Sequence, residues 1–231
     1  MTMLLGCDVS AMQGLLNAAH FAHMKANGVE FMIHRVGIGN DGTDVHFKSN
    51  VALAKAAGIT VGLYQFPYII PVVPGKESRA PEAQADAHWA ACAGIANEPG
   101  VDVITFADLE WPSDGEWAKW NCSPAFIEDF TCKYKARYVA NSGRRMGSYT
   151  YPWWAKAANL AVVPLDVLGD LWQAGPYVTT GMPAALPTPI LPWTSMGICQ
   201  FTGGKTGDTL PNTSPVDWDM TTPESLASLV L

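Results

Sequence analysis

The sequence predicts an α/β fold, an irregular (β/α)8 TIM-like barrel with helices missing in its C-terminal half. Three observations carry that expectation. Apolar runs of strand length alternate with helix-period segments; eight such runs qualify as strands; and the stretch 175–192 is crowded with Pro and Gly, with no clear helix between Gln200 and Asp217. The same alternation also allows an open doubly wound sheet as the alternative.

The first strands fall at residues 3–9, 31–36, 60–66 and 103–109, separated by helical stretches at 15–26, 47–57 and 81–96. Gly28 and Gly58 follow two of those helices, where a C-terminal cap needs a residue tolerant of positive φ. A long helix fits 124–141 and leads into a strand at 146–151, with weaker strands at 167–172, 198–201 and 216–220. There is no repeat, linker or low-complexity tail, so residues 1–231 read as a single domain.

With 231 residues, 48% hydrophobic and 15% charged, the chain can bury a substantial core. A net charge of -7 and the absence of a Lys/Arg run remove the attraction to phosphate backbones, so nucleic acid is not an expected partner. No Lys or Arg precedes Lys25 and the opening apolar stretch is short. Neither a signal peptide nor membrane insertion is therefore expected. Cys7, Cys92, Cys122, Cys132 and Cys199 are scattered without a Cys-x-x-Cys pair, which suggests reduced thiols rather than a disulfide framework or a zinc site.

The chemistry-bearing feature is Asp108-Leu-Glu110 at the end of the fourth strand. Alternate side chains of a strand share a face, which puts these two carboxylates on one side with Cα atoms roughly 6.5–7 Å apart. Like charge and apolar lining then raise one pKa and leave an acid beside a base, the pairing used in glycoside hydrolysis. By itself the pair could equally cap a loop or bind a divalent cation. Asp8 ends the first strand, and Asp217 and Asp219 share a face in Val-Asp-Trp-Asp-Met. Carboxylates at several strand ends would converge on one barrel mouth. Tyr64, Tyr149, Tyr151, Trp172 and Gln200, also near strand ends, are candidates with Asp219 for contacting substrate, and Trp111, Trp117 and Trp120 could form a rim.

Other motifs are weaker. Gly37-Ile-Gly-Asn-Asp-Gly42 has dinucleotide-loop spacing, but no helix opens promptly after it and no acid follows about twenty residues on. Gly204-Lys-Thr206 lacks the earlier glycine of a phosphate loop, since that position is Cys199. His20 and His23 lack a third metal ligand nearby, and Ser10, Ser148 and Ser195 lack a nucleophile-elbow context. No metal and no cofactor is expected.

Several segments, in order along nearly the whole chain, resemble glycoside hydrolase family 25, the Chalaropsis-type lysozymes. Gly6-Cys-Asp-Val-Ser-Ala-Met-Gln-Gly14 is similar to that family's opening, and Ala54-Lys-Ala-Ala-Gly-Ile-Thr-Val-Gly-Leu-Tyr64 to its Ala-Gly-Ile strand entry. Asp108-Leu-Glu110, Ser148-Tyr-Thr-Tyr151, Leu171-Trp-Gln-Ala174, Cys199-Gln-Phe201 and Val216-Asp-Trp218 follow in the family's order. Cys7 and Cys199 stand where the family more often has apolar or aromatic residues, and the loop Trp111-Pro-Ser-Asp-Gly-Glu-Trp117 is distinctive.

The resemblance implies an N-acetylmuramidase that hydrolyses the β-1,4 bond from N-acetylmuramic acid to N-acetylglucosamine in peptidoglycan glycan strands. It implies Glu110 as the general acid, ringed by Asp108, Asp8 and Asp217, with Asp108 stabilising the oxocarbenium or orienting the acetamido group. Retention with acetamido participation is the reading taken, although spacing leaves inversion open. The expected setting is a monomer acting on the bacterial wall, held in a host cytoplasm until phage lysis, with a bacterial autolysin as the alternative. A metal-dependent hydrolase using the same carboxylates and a non-catalytic glycan-binding module are the competing functions.

Overall fold

The computed structural model describes residues 2–40, 42–96, 101–110, 122–179, 181–203 and 216–230. The apolar runs become β1 (Leu4–Val9), β2 (Val29–Ile38), β4 (Thr60–Phe66), β5 (Val101–Asp108), β6 (Met146–Thr150), β7 (Leu171–Ala174), β8 (Ile198–Gln200) and β9 (Asp217–Thr221). A two-residue strand, β3 (Gly42–Thr43), folds back on β2 as a hairpin. The sheet runs β1-β9-β8-β7-β6-β5-β4-β2, and β2 pairs back onto β1, closing the barrel. Closure rules out the doubly wound alternative.

Helices α1 (Ala18–Ala26), α2 (Phe47–Ala56), α3 (Pro81–Ala96) and α4 (Pro124–Ser142) follow the order expected for the first half. Afterwards only short helices occur among the described residues: α5 (Pro152–Ala157), α6 (Leu165–Leu168) and the C-terminal α7 (Pro223–Leu229). Between β7 and β8 the described chain has no helix, and side chains substitute for one. Gln173 Oε1 accepts the Ile190 N–H at 2.9 Å and Trp193 Nε1 donates to the Gly169 carbonyl at 2.7 Å.

Several boundaries differ from the sequence expectation by a residue or two, and two larger differences have a local cause. The first helix begins at Ala18 rather than residue 15, because Asn17 caps it by accepting the Ala19 and His20 N–H groups. Residues 167–172 are not one strand: Leu168 ends α6, and Gly169, at φ 66, turns the chain before β7 begins at Leu171.

The larger departure is the direction of β9. The six barrel pairings from β1–β2 through β7–β8 are parallel, but β9 is antiparallel to both β8 and β1. The start of β9 therefore lies at the end of the barrel where the other strands finish, with Asp217 in register with Asp8. Asp217 reaches the mouth from the N-terminal end of its strand, not from a C-terminal end.

Strand alternation divides the apolar residues into two layers. Phe31, Ile33, Ile104, Phe106, Trp172 and Ile198 fill the barrel, and Leu226 and Leu229 of α7 pack with them as a plug. The outer layer packs barrel against helices, with Cys7, Val9, Phe130 and Tyr134 among its members. Lys135 is buried in α4, where its Nζ donates to the Met146 carbonyl at 3.1 Å, to Ser148 Oγ at 2.7 Å and to the Leu168 carbonyl. This ties α4 to β6 and α6. Inside the barrel, Gly6 leaves room for a ring: a Cβ there would stand 2.2 Å from Phe31.

Gly6→Ala should therefore overpack the barrel beneath Asp8 and cost about 1–3 kcal/mol of stability, read as a lower urea midpoint. An unchanged midpoint would contradict this account of the core.

Candidate active site

Asp108 is the last residue of β5, and the ladder continues one residue beyond it, with the Leu109 N–H donating to the Tyr149 carbonyl at 2.8 Å. That bond keeps alternation intact past the strand end. Leu109 is buried in the outer layer, leaving Asp108 and Glu110 on the inner face. Asp8 joins them from β1 and Asp217 from β9. Asp8 and Asp108 are buried, whereas Glu110 and Asp217 are half-buried.

Burial is the largest cause of the perturbed acidity at this mouth. It raises Asp8, with Asp217 adding to the effect while the hydrogen bond from Gln200 opposes it. It raises Asp108, reinforced by Glu110 and Asp8 and countered by Arg35. Glu110 is raised from 4.5 to about 7, first by burial and then by the charge of Asp217. A carboxylic acid with that affinity still holds its proton near neutrality.

A hydrogen-bond network holds Asp8 and, deeper in the barrel, Asp219. Gln200 Nε2 donates to Asp8 Oδ2 at 2.7 Å, while Gln200 Oε1 accepts from Tyr149 at 3.0 Å and Tyr177 at 3.2 Å. Trp172 Nε1 donates to Asp219 Oδ1 at 2.8 Å. Trp172 packs edge-on against Tyr64, Phe106 and Tyr149, with ring centroids 5.5, 5.6 and 4.5 Å away. Asp108 Oδ1 is buried without a hydrogen-bond partner.

The residues expected to contact substrate thus divide by depth. Tyr151 is half-buried beside Glu110 in a cleft of about 580 Å³ that also includes Pro152, Trp153 and residues 174–177. Tyr64, Tyr149 and Gln200 are buried and do not line it, although Gln200 is tied to its wall by the hydrogen bond from Tyr177. Trp172 and Asp219 lie one layer deeper, 1% and 0% exposed, because alternation that places Ala174 and Asp217 at the mouth sends residues two positions away into the barrel. They support the site and do not face the cleft. The suggested rim residues Trp111, Trp117 and Trp120 lie outside the described residues, as does Gly204-Lys-Thr206.

Sequence reasoning missed Arg35, Asp44 and Tyr177. Arg35 Nε and Nη2 donate to Asp44 Oδ2 and Oδ1 at 3.0 and 3.2 Å, and Asp44 Oδ2 also accepts the Ala11 N–H at 2.7 Å. The signal was an Arg on the inner-face period of β2, two residues beyond Ile33. Tyr177 lay inside the Pro/Gly-rich stretch, where no periodicity could assign it a face.

The weaker motifs resolve into local structure. Gly37 and Gly39 permit close approach of the Gly42 carbonyl and the Tyr68 ring. His20 Nδ1 accepts the Asn17 N–H in a capping box, Ser10 caps the turn at Ala11–Gln13, and Ser148 serves Lys135. All five cysteines are free. Among the described residues no group of three His, Cys, Asp or Glu is arranged to hold a metal ion. A larger cavity, about 910 Å³, opens on the flank between α4, α6 and residues 193–197. Its acids are Asp166 and Asp170, with Asp170 paired to Arg145, so cavity size does not locate the chemistry.

The model of the family described as glycosyl hydrolases family 25 matches residues 7–206. Among solved structures, the chain is similar to a family GH25 lysozyme from Aspergillus fumigatus (TM-score 0.73, 20% identity, covering 99% of each chain). It is also similar to the catalytic domain of endolysin ply40 from bacteriophage P40 of Listeria monocytogenes, with a TM-score of 0.70 at 19% identity over 99% of this chain and 97% of that one. A lysozyme from Streptomyces coelicolor gives a TM-score of 0.70 at 20% identity, over 99% and 97%. At these identities the likeness is one of fold. No curated protein matches the chain by sequence.

Because burial raises Glu110 above its ordinary 4.5, the native state binds the extra proton, and its ionisation costs stability as pH rises from 4.5 through about 7. Glu110→Gln removes that cost. Thermal denaturation should show the variant gaining on the wild type between pH 5 and pH 8, and a constant difference would contradict the shift.

Proposed function

The chain belongs to family 25 of the glycosyl hydrolases, and we propose that it is an N-acetylmuramidase cleaving the β-1,4 bond between N-acetylmuramic acid and N-acetylglucosamine in bacterial peptidoglycan. One observation carries the proposal: Glu110, raised to about 7, stands at a cleft beside buried carboxylates on the inner faces of β1 and β5.

In this reading protonated Glu110 donates to the glycosidic oxygen as the bond to the muramic anomeric carbon breaks. Asp8, Asp108 and Asp217 supply the negative field that favours positive charge developing at that carbon. The orphaned Asp108 Oδ1 accepts the N–H of the muramic acetamido group, aiming its carbonyl oxygen at the anomeric carbon from the opposite face. Water then opens the resulting oxazolinium ring, giving its proton to ionised Glu110, so that configuration is retained and no metal is required. Tyr151 offers an apolar face to a sugar ring. The likeness to an endolysin catalytic domain supports a lytic role on the bacterial wall. Among the described residues no helix is long and apolar enough to cross a membrane.

Digestion of peptidoglycan followed by borohydride reduction should convert muramic acid, and not glucosamine, to its alcohol. Reduced glucosamine would refute the bond assignment. Glu110→Gln should lower kcat by about 10²–10⁴-fold with unchanged circular dichroism, and near wild-type turnover would remove Glu110 from the acid role. Activity should fall as pH rises through about 7, where Glu110 loses its proton, and should be indifferent to chelators. A flat profile across that range would count against the same assignment.

A further inference from the structure

One carboxylate of this cluster lies too deep to touch a sugar. Asp219 is fully buried, on the same face of β9 as Asp217 and two residues further into the barrel, in register with Gly6. Because Gly6 has no side chain, the carboxylate offered by the inner face of β1 is that of Asp8. Asp219 Oδ1 accepts one bond, from Trp172 Nε1 at 2.8 Å. Its Oδ2 is buried and receives no N–H or hydroxyl donor. The register that pairs Asp8 with Asp217 and Gly6 with Asp219 nevertheless sets Asp219 diagonally beneath Asp8 on the same inner face, where each perturbs the acidity of the other.

Two carboxyl groups share a hydrogen bond only when one of them holds a proton. Asp8 already accepts from Gln200 Nε2 at 2.7 Å, an amide whose Oε1 accepts from both Tyr149 and Tyr177. Asp219 is the deeper of the two and has only the indole donor, so its ionised form is the costlier.

We propose that Asp219 is a positioning residue that keeps its proton at working pH and donates it to Asp8, which is thereby gripped between the Gln200 amide and the Asp219 acid. The grip holds Asp8 as the ionised member of the pair and fixes where its charge sits at the mouth. Trp172 in turn fixes Asp219, linking the aromatic packing of the barrel to the carboxylate above it. The catalytic consequence rests on the muramidase reading of the mouth, but the protonation state does not.

Asparagine preserves both bonds, its amide N–H replacing the acid O–H and its carbonyl still accepting from Trp172. Leucine preserves neither. In turnover of peptidoglycan, Asp219→Asn should keep kcat within about threefold of wild type, whereas Asp219→Leu should lose roughly 10- to 100-fold. Infrared difference spectra of the whole chain at pH 7, wild type minus Asp219→Asn, should show the carbonyl stretch of a buried protonated carboxyl, shifted by ¹³C-aspartate labelling. An Asn variant as impaired as the Leu variant, or no such band, would overturn the proposal. If the Leu variant fails to fold, the Asn variant and the band still decide it. A band present in a wild type that does not cut peptidoglycan would support the protonated pair while refuting the muramidase reading.

Discussion

Several carboxyl groups taken out of water at one end of a small barrel cannot all be ionised, and much of the structure answers to that constraint. Burial raises Asp8, Asp108, Glu110 and Asp219, and their mutual repulsion adds to the effect. The molecule distributes the cost unequally. Glu110, half-buried at the cleft, retains a proton that it can release near neutrality, whereas Asp8 receives the Gln200 amide and Asp108 the field of Arg35. Unequal environments make an acid and its charged neighbours from chemically similar side chains.

The barrel beneath exists to hold those environments apart. Trp172 occupies its centre, fixed edge-on by three aromatic rings, and spends its single N–H on Asp219. Gly6 leaves room for Phe31 under Asp8, and α7 closes the core with Leu226 and Leu229. The bidentate Arg35–Asp44 pair also captures the Ala11 N–H, anchoring the chain just after β1 to the β2 side of the mouth. Rigid packing of this kind keeps charged groups from relaxing away from one another, so the site is maintained at a cost to stability.

Much of this was legible in the sequence because it depends on period and order. Alternating strand and helix patterns gave the barrel class, and the two-residue period put Asp108 and Glu110 on one face whatever the tertiary structure became. The lack of a helix between β7 and β8 among the described residues was readable from the Pro and Gly of 175–192. Depth was not readable. Trp172 and Asp219 carry the same alternation as the mouth residues, and only the closed barrel shows that they lie beneath it, since period assigns a face and not a height along the barrel axis. Arg35 and Asp44 were missed because their pairing joins a strand to a hairpin that no local pattern specifies.

The strand-end carboxylates themselves divide in the same way. The sequence by itself determined that Asp8, Asp108 and Glu110 would stand at or beyond the ends of strands, since side-chain alternation is a local property of the extended chain. The tertiary structure alone decided that β9 runs antiparallel between β8 and β1, bringing Asp217 to Asp8 from the start of its strand. Strand direction depends on how the chain crosses the barrel before it enters the strand, and nothing in Val-Asp-Trp-Asp-Met records that path.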